Sequence, residues 1–174
     1  MATITDRPEA VVIALGSNLG NRAYTLRRAL DRLKSLVTLV KVSRFLETEP
    51  LDAPAGSPPF LNAVAAGHTR VAPAELLAGL LSIEKELGRR RPSPRNAPRT
   101  IDLDLIFHGG QRLESEAITL PHPRWRERDF VVIPLIELEL PWLAWLKRDV
   151  LARRGQLAGR AARRQDACSR RSAF

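Results

Sequence analysis

Residues 10–21 read Ala10-Val11-Val12-Ile13-Ala14-Leu15-Gly16-Ser17-Asn18-Leu19-Gly20-Asn21. The first six form an unbroken apolar run, the pattern of a central strand buried on both faces. The last six are turn formers, and their asparagines can cap a following helix. Leu26, Leu30, Leu33 and Val37 then recur at helical spacing, which leaves Arg27, Arg28, Asp31 and Arg32 for water. A strand–turn–helix unit results, and the fold depends on what is added to it.

Leu39–Thr48, rich in Val and Phe, predicts a second strand. Glu49–Pro59, with four prolines and a glycine, is a loop, and Phe60–Ala66 is a third strand. Pro73 suits the first turn of a second helix, where its missing N–H costs nothing. Leu76, Leu80, Ile83 and Leu87 are that helix's buried stripe, and Gly88 is a terminator. The basic, proline-rich loop Arg89–Pro98 follows, then a fourth strand, Thr100–Phe107. An irregular stretch runs from Gly109-Gly110 to Pro123, and the apolar segment Phe130–Leu140 is helical. The order β-α-β-β-α-β predicts an α+β, ferredoxin-like fold with C-terminal additions. Both helices cover one face of an antiparallel sheet and the other face stays open.

Composition narrows the class. At 174 residues the chain fits one domain with a substantial core, and 44% hydrophobic content argues against general disorder. A lone cysteine, Cys168, rules out a disulfide scaffold and a multi-cysteine zinc site, and suits a reducing compartment. MATITDRPEA has neither the basic start nor the apolar core of a secretory leader. The most apolar stretch, Phe130–Leu146, is interrupted by Pro134, Glu137, Glu139 and Pro141, so no membrane span is expected. A cytoplasmic monomer is the expectation. Of the formal net charge of +9, seven units lie in Lys147–Phe174, where nine Lys/Arg face only Asp149 and Asp166. The expected division is a body, 1–146, and a basic flexible tail, 147–174, the one part suited to nucleic acid.

The chemistry concentrates in Arg99-Thr100-Ile101-Asp102-Leu103-Asp104-Leu105-Ile106. On a strand, Ile101, Leu103 and Leu105 share one face and Asp102 and Asp104 the other, with the carboxylates roughly 7 Å apart. Unpaired they repel, so a cation belongs between them. Hard divalent ions take such oxygens and share their remaining positions with phosphate. Arg89, Arg90, Arg91, Arg95 and Arg99 stand nearby, and guanidinium forks beside a metal site are what polyphosphate transfer requires. No Walker A sequence is present, so a P-loop enzyme is excluded. Phe60 and Asn62 point the same way on their strand, a stacking face beside an amide. His122, between Pro121 and Pro123, and Arg128 are further candidates for phosphate.

These pieces, in this order, resemble the 6-hydroxymethyl-7,8-dihydropterin pyrophosphokinase family. The likeness rests on Ala14–Gly20, Thr48–Leu51, Phe60–Ala63, Ile83–Arg89, Arg95–Asp104, Pro121-His122 and Arg128–Phe130, and spans about residues 10–140. It implies transfer of the β,γ-pyrophosphoryl group of ATP to the pterin hydroxymethyl oxygen, with release of AMP, in folate biosynthesis. It further implies that Asp102 and Asp104 hold two Mg²⁺ ions and that Arg89 and Arg99 stabilise the transferring group. Arg91, His122 and Arg128 would contact ATP. Phe60 and Phe130 would sandwich the pterin, with Asn62, Thr48 and Leu51 reading its edge, and Glu84 would support the arginine loop. Asn96 stands where many members carry a tryptophan. The alternative class is a ferredoxin-like nucleic-acid-binding module with a basic tail, against which an acidic pair on the open sheet face argues.

Overall fold

The computed structural model describes residues 4–50, 56–91 and 97–143. The apolar run at 10–15 lies within a longer strand, β1 (Ile4–Ser17). It is central because β4 (Phe60–Val71) and β5 (Asp102–His108) pair with its two edges, both antiparallel. Val11, Val12, Ile13 and Leu15 are consequently buried on both faces, as an uninterrupted apolar strand should be.

Asn21 caps α1 (Arg22–Leu33) by accepting the Tyr24 N–H at 3.1 Å. α2 (Pro73–Glu86) begins on its proline, and Gly88, at φ +89°, ends the turn that follows it. Leu26, Ala29 and Leu33 of α1 and Leu76, Leu80 and Ile83 of α2 pack onto Val11, Ile13, Leu15, Ala65, Leu103 and Leu105 of the sheet. Truncating any one of these buried leucines to alanine costs about 2–5 kcal/mol.

The edge predicted as one strand over 39–48 is two: β2 (Thr38–Val42) and β3 (Leu46–Thr48), both paired with β4. Ser43 makes the break. Its N–H donates to Val64 O at 2.9 Å while its hydroxyl, rather than a backbone carbonyl, takes the Val64 N–H at 3.0 Å. The sheet order is β2-β4-β1-β5, with β3 beside β4. Among the described residues the fold is therefore mixed α/β, an antiparallel sheet with three α-helices.

The sheet face away from α1 and α2 is not left open, as the sequence had implied. α3 (Asp129–Glu137) packs against β4 and β3 on that side. Its Val131, Val132 and Leu135 are too apolar to remain in water and are buried to within 2%. Arg44 beside the break clamps Glu137 of α3 through two hydrogen bonds, 2.7 and 3.0 Å. Trp125, in a 3-10 turn before α3, buries against Phe107 edge to face at 5.0 Å. The irregular stretch contains a small hairpin, β6 (Leu113–Glu114) and β7 (Thr119–Leu120). Met1–Leu138 is one compact unit. Among the described residues no helix is long and apolar enough to cross a membrane. The tail expected from 147 lies outside the described residues.

Candidate active site

Strand register builds the site. Gly16 stands between Asn62 of β4 and Asp102 of β5, and Ala14 between Val64 and Asp104. All six sit on the sheet face away from the α1/α2 core. Two small residues on the central strand thus form the floor of a cleft, with the amide on one side and both carboxylates on the other, about 10 Å apart across two strand spacings. Phe60, Thr48, Phe130 and Arg128 complete its walls, together with Arg99, Glu49, Arg124 and Glu127. A side chain at Gly16 would not fit: its Cβ would approach Asn62 Oδ1 to 2.9 Å and Phe60 Cδ1 to 3.6 Å. Asn62 is itself fixed, donating from Nδ2 to Thr48 Oγ1 at 2.8 Å.

The cations required between the aspartates are arginines. Asp102 accepts from Arg89 Nη1 and has Arg99 Nη1 at 3.5 Å, and Asp104 accepts from Arg128 Nη1 at 2.6 Å. Arg99 also lies over the Phe60 ring at 5.4 Å, and Arg128 over Phe130 at 5.6 Å. Each of these guanidiniums therefore joins a carboxylate to an aromatic face. Both can be taken up by a more anionic ligand, which would free Asp104 and both rings and leave Asp102 with Arg89 alone.

Beneath this layer is a residue that the sequence left as a mere support. Glu84 of α2 is 1% exposed and accepts from Arg89 Nη1, from Arg91 Nη2 at 2.8 Å and from the Leu103 N–H at 2.8 Å. Arg89 is correspondingly buried and braced between Glu84 and Asp102 rather than lining the cleft. Burial pulls the Arg89 guanidinium down, but Asp102 and then Glu84 outweigh it and hold it above its ordinary value. Arg91 is half-exposed and paired with Glu84.

His122, expected to contact ATP, is not among the residues that line the cleft. Its N–H donates to Ile106 O at 3.0 Å, and its Nδ1 accepts the Arg124 N–H at 3.2 Å. Burial lowers its imidazole below the ordinary histidine value; Asp104 opposes this and Arg128 adds to it. Leu51, Arg95 and Asn96 lie outside the described residues.

Asn18 was missed as a site residue. Nothing in the pattern Gly-Ser-Asn-Leu-Gly-Asn separates it from Asn21, the cap. In the fold it is 2% exposed, and its Oδ1 accepts the Arg99 N–H at 2.7 Å while its own N–H donates to Arg99 O at 3.1 Å. Its Nδ2 donates to Pro58 O at 3.2 Å, so one side chain ties the first turn to Arg99 and to the loop before β4.

The donors at Asp102 and Asp104 fit a hard divalent cation. Both offer carboxylate oxygens at the cleft surface, their side chains 25% and 30% exposed. Among the described residues no group of three or more His, Cys, Asp or Glu forms a closed cage. Two carboxylates with open positions match Mg²⁺, which keeps waters and shares phosphate oxygens.

Comparisons with known proteins identify the family. The family model for 7,8-dihydro-6-hydroxymethylpterin-pyrophosphokinase (HPPK) matches residues 12–140. A folate synthesis bifunctional protein of Arabidopsis thaliana is 44% identical over 131 residues, which are 75% of this chain and 27% of that protein. The chain thus spans about a quarter of that bifunctional relative. A 2-amino-4-hydroxy-6-hydroxymethyldihydropteridine pyrophosphokinase of Porphyromonas gingivalis is 41% identical over 139 residues, 76% of this chain and 92% of that one. Wild-type Plasmodium falciparum HPPK-DHPS, crystallised with pterin and p-hydroxybenzoate, shares the fold at a TM-score of 0.54 and 13% identity, over 74% of this chain and 39% of that one. With a family model spanning strands, arginine loop and aspartate pair alike, the chain belongs to the 7,8-dihydro-6-hydroxymethylpterin-pyrophosphokinase family.

Proposed function

We propose that the chain transfers the β,γ-pyrophosphoryl group of ATP to the hydroxymethyl oxygen of 6-hydroxymethyl-7,8-dihydropterin and releases AMP, a step of folate biosynthesis. The observation that carries this reading is one cleft in which two strand carboxylates, each held by an arginine, face two aromatic rings and a fixed amide. We read the fold beneath it as the ferredoxin-like plan, with the second strand delivered as β2 and β3. Residues 1–146 carry the reaction, and 147–174 are accessory.

The pterin ring lies between Phe60 and Phe130, and Asn62, with Thr48 and the Leu51 backbone, reads its edge. The triphosphate draws Arg99 and Arg128 off the carboxylates, with Arg91 and His122 contacting the nucleotide, while Arg89 stays between Glu84 and Asp102 and lends its charge to the transferring group from beneath Asp102. Asp104, and Asp102 with only the shared Arg89 left on it, would then hold two Mg²⁺ ions, which would offset charge on the triphosphate and on the developing bond. The hydroxymethyl oxygen forms a bond to the β-phosphorus, the bond from that phosphorus to the α-phosphate oxygen breaks, and the hydroxyl proton passes to water. Such a transition state is loose, so alignment and neutralised charge do most of the work and no strong base is required. The nucleic-acid alternative is not favoured: the face it would present carries Asp102 and Asp104 and is partly covered by α3.

Binding tests the placement. Titrated with 6-hydroxymethylpterin and followed by ring fluorescence, Phe60→Ala and Phe130→Ala should each weaken binding by about tenfold, the loss of one stacking contact. Unchanged affinity in both variants would remove this cleft as the substrate site.

A further inference from the structure

We propose that Glu84 is a positioning residue for this transfer, a buried counter-ion that keeps Arg89 from neutralising Asp102 and so preserves the negative charge on which divalent cations bind. The inference rests on the functional reading above and deepens it. Arg89 Nη1 is shared, donating to Glu84, to Asp102 and to the Ile101 carbonyl at 3.2 Å. With Arg99 3.5 Å away, Asp102 has no cation to itself.

Charge among the largely buried groups of the site is balanced. Three carboxylates, Glu84, Asp102 and Asp104, meet three largely buried guanidiniums, Arg89, Arg99 and Arg128, with the half-exposed Arg91 added from outside. Removing Glu84's charge leaves a surplus cation, and Arg89 then has only Asp102 to pair with. Coulombic attraction at this depth is weakly screened, so the shift falls on the nearest anion, which is Asp102. The Leu103 N–H bond to Glu84 Oε1 fixes the geometry further, because Leu103 lies between the two aspartates on β5. Glu84 thus sets both the charge and the placement of the pair while lining no part of the cleft. Residues that orient metal ligands in this way commonly govern affinity by about 10–100-fold.

The test uses the full chain, Mn²⁺ as a paramagnetic probe and the α,β-methylene analogue of ATP, which cannot be cleaved at the relevant bond. Mn²⁺ affinity is read by electron paramagnetic resonance and analogue affinity by calorimetry. Glu84→Gln keeps an oxygen for the Leu103 N–H, and should weaken Mn²⁺ by about tenfold or more while binding the metal-free analogue at least as tightly as the wild type does. A merely structural residue would weaken both. If Glu84→Gln fails to fold, Arg91→Met replaces it: this variant leaves Glu84 to Arg89 alone and should bind Mn²⁺ as tightly as wild type or more so. Wild-type Mn²⁺ affinity in Glu84→Gln, or an Arg91→Met variant with Mn²⁺ weakened about tenfold, overturns the assignment. A wild type that binds neither Mn²⁺ nor the analogue overturns the functional reading itself, and this role with it.

Discussion

The side-chain amide oxygen of Asn62, Oδ1, lies over Gly16, so close that a Cβ there would reach it at 2.9 Å. Asn62 cannot move aside without breaking its bond to Thr48, and Phe60 closes the same space. Gly16→Ala is therefore expected to displace the amide and ring together. Overpacking of this kind costs about 1–3 kcal/mol. The KM for the pterin should rise by about tenfold or more, with ATP affinity nearly unchanged. Steady-state kinetics with each substrate varied in turn checks this.

Asn18→Ala removes the acceptor for the part-buried Arg99 N–H and frees the Pro58 carbonyl. Leaving such groups unpaired costs about 1–3 kcal/mol. The midpoint of urea unfolding should fall, and turnover should fall further than in an equally destabilised Leu76→Ala control, because Arg99 is released as well. Equal losses in the two variants would reduce Asn18 to a structural residue.

Asp102→Asn and Asp104→Asn keep the side-chain shape and remove one charge each. Each should lower kcat by about a hundredfold or more, some 3 kcal/mol of transition-state stabilisation. Turnover near the wild-type value in either variant at saturating Mg²⁺ would contradict their assignment as metal ligands.

His122 makes stability depend on pH. Its folded-state pKa is depressed, mainly by burial, so its contribution is complete above the unfolded value of about 6.5. As pH falls through that value, the unfolded chain takes up the proton first and stability is lost. Urea midpoints in metal-free buffer from about pH 8 to 5 should therefore fall more steeply for wild type than for His122→Asn. Parallel curves would show that the imidazole is not held neutral by the fold.

Much of this site could be read along the chain because strand periodicity is local. Alternation alone places Asp102 with Asp104 and Phe60 with Asn62. What brings the two pairs into one cleft is register: Gly16 matched to Asn62 on one side and to Asp102 on the other. That pairing joins residues more than forty positions apart, and no local pattern encodes it. Asn18 was hidden for the same reason, as was the bond from Leu103 to Glu84, since these partners meet only in the folded chain. The break at Ser43 depends on a hydroxyl replacing a carbonyl in the ladder, a choice that β-propensity does not register. The covering of the second sheet face by α3 overturns the expected open face, because which strands an apolar helix lands on, here β3 and β4, is a long-range choice.

The most direct measurement of the central claim mixes the purified chain with ATP, Mg²⁺ and 6-hydroxymethyl-7,8-dihydropterin and resolves the products by phosphorus NMR. The account predicts AMP and a pterin diphosphate appearing in equal amounts as ATP disappears, and no ADP. ADP formed in step with pterin consumption would mean transfer of the γ-phosphoryl group alone, and would contradict the placement of the triphosphate on Asp102 and Asp104.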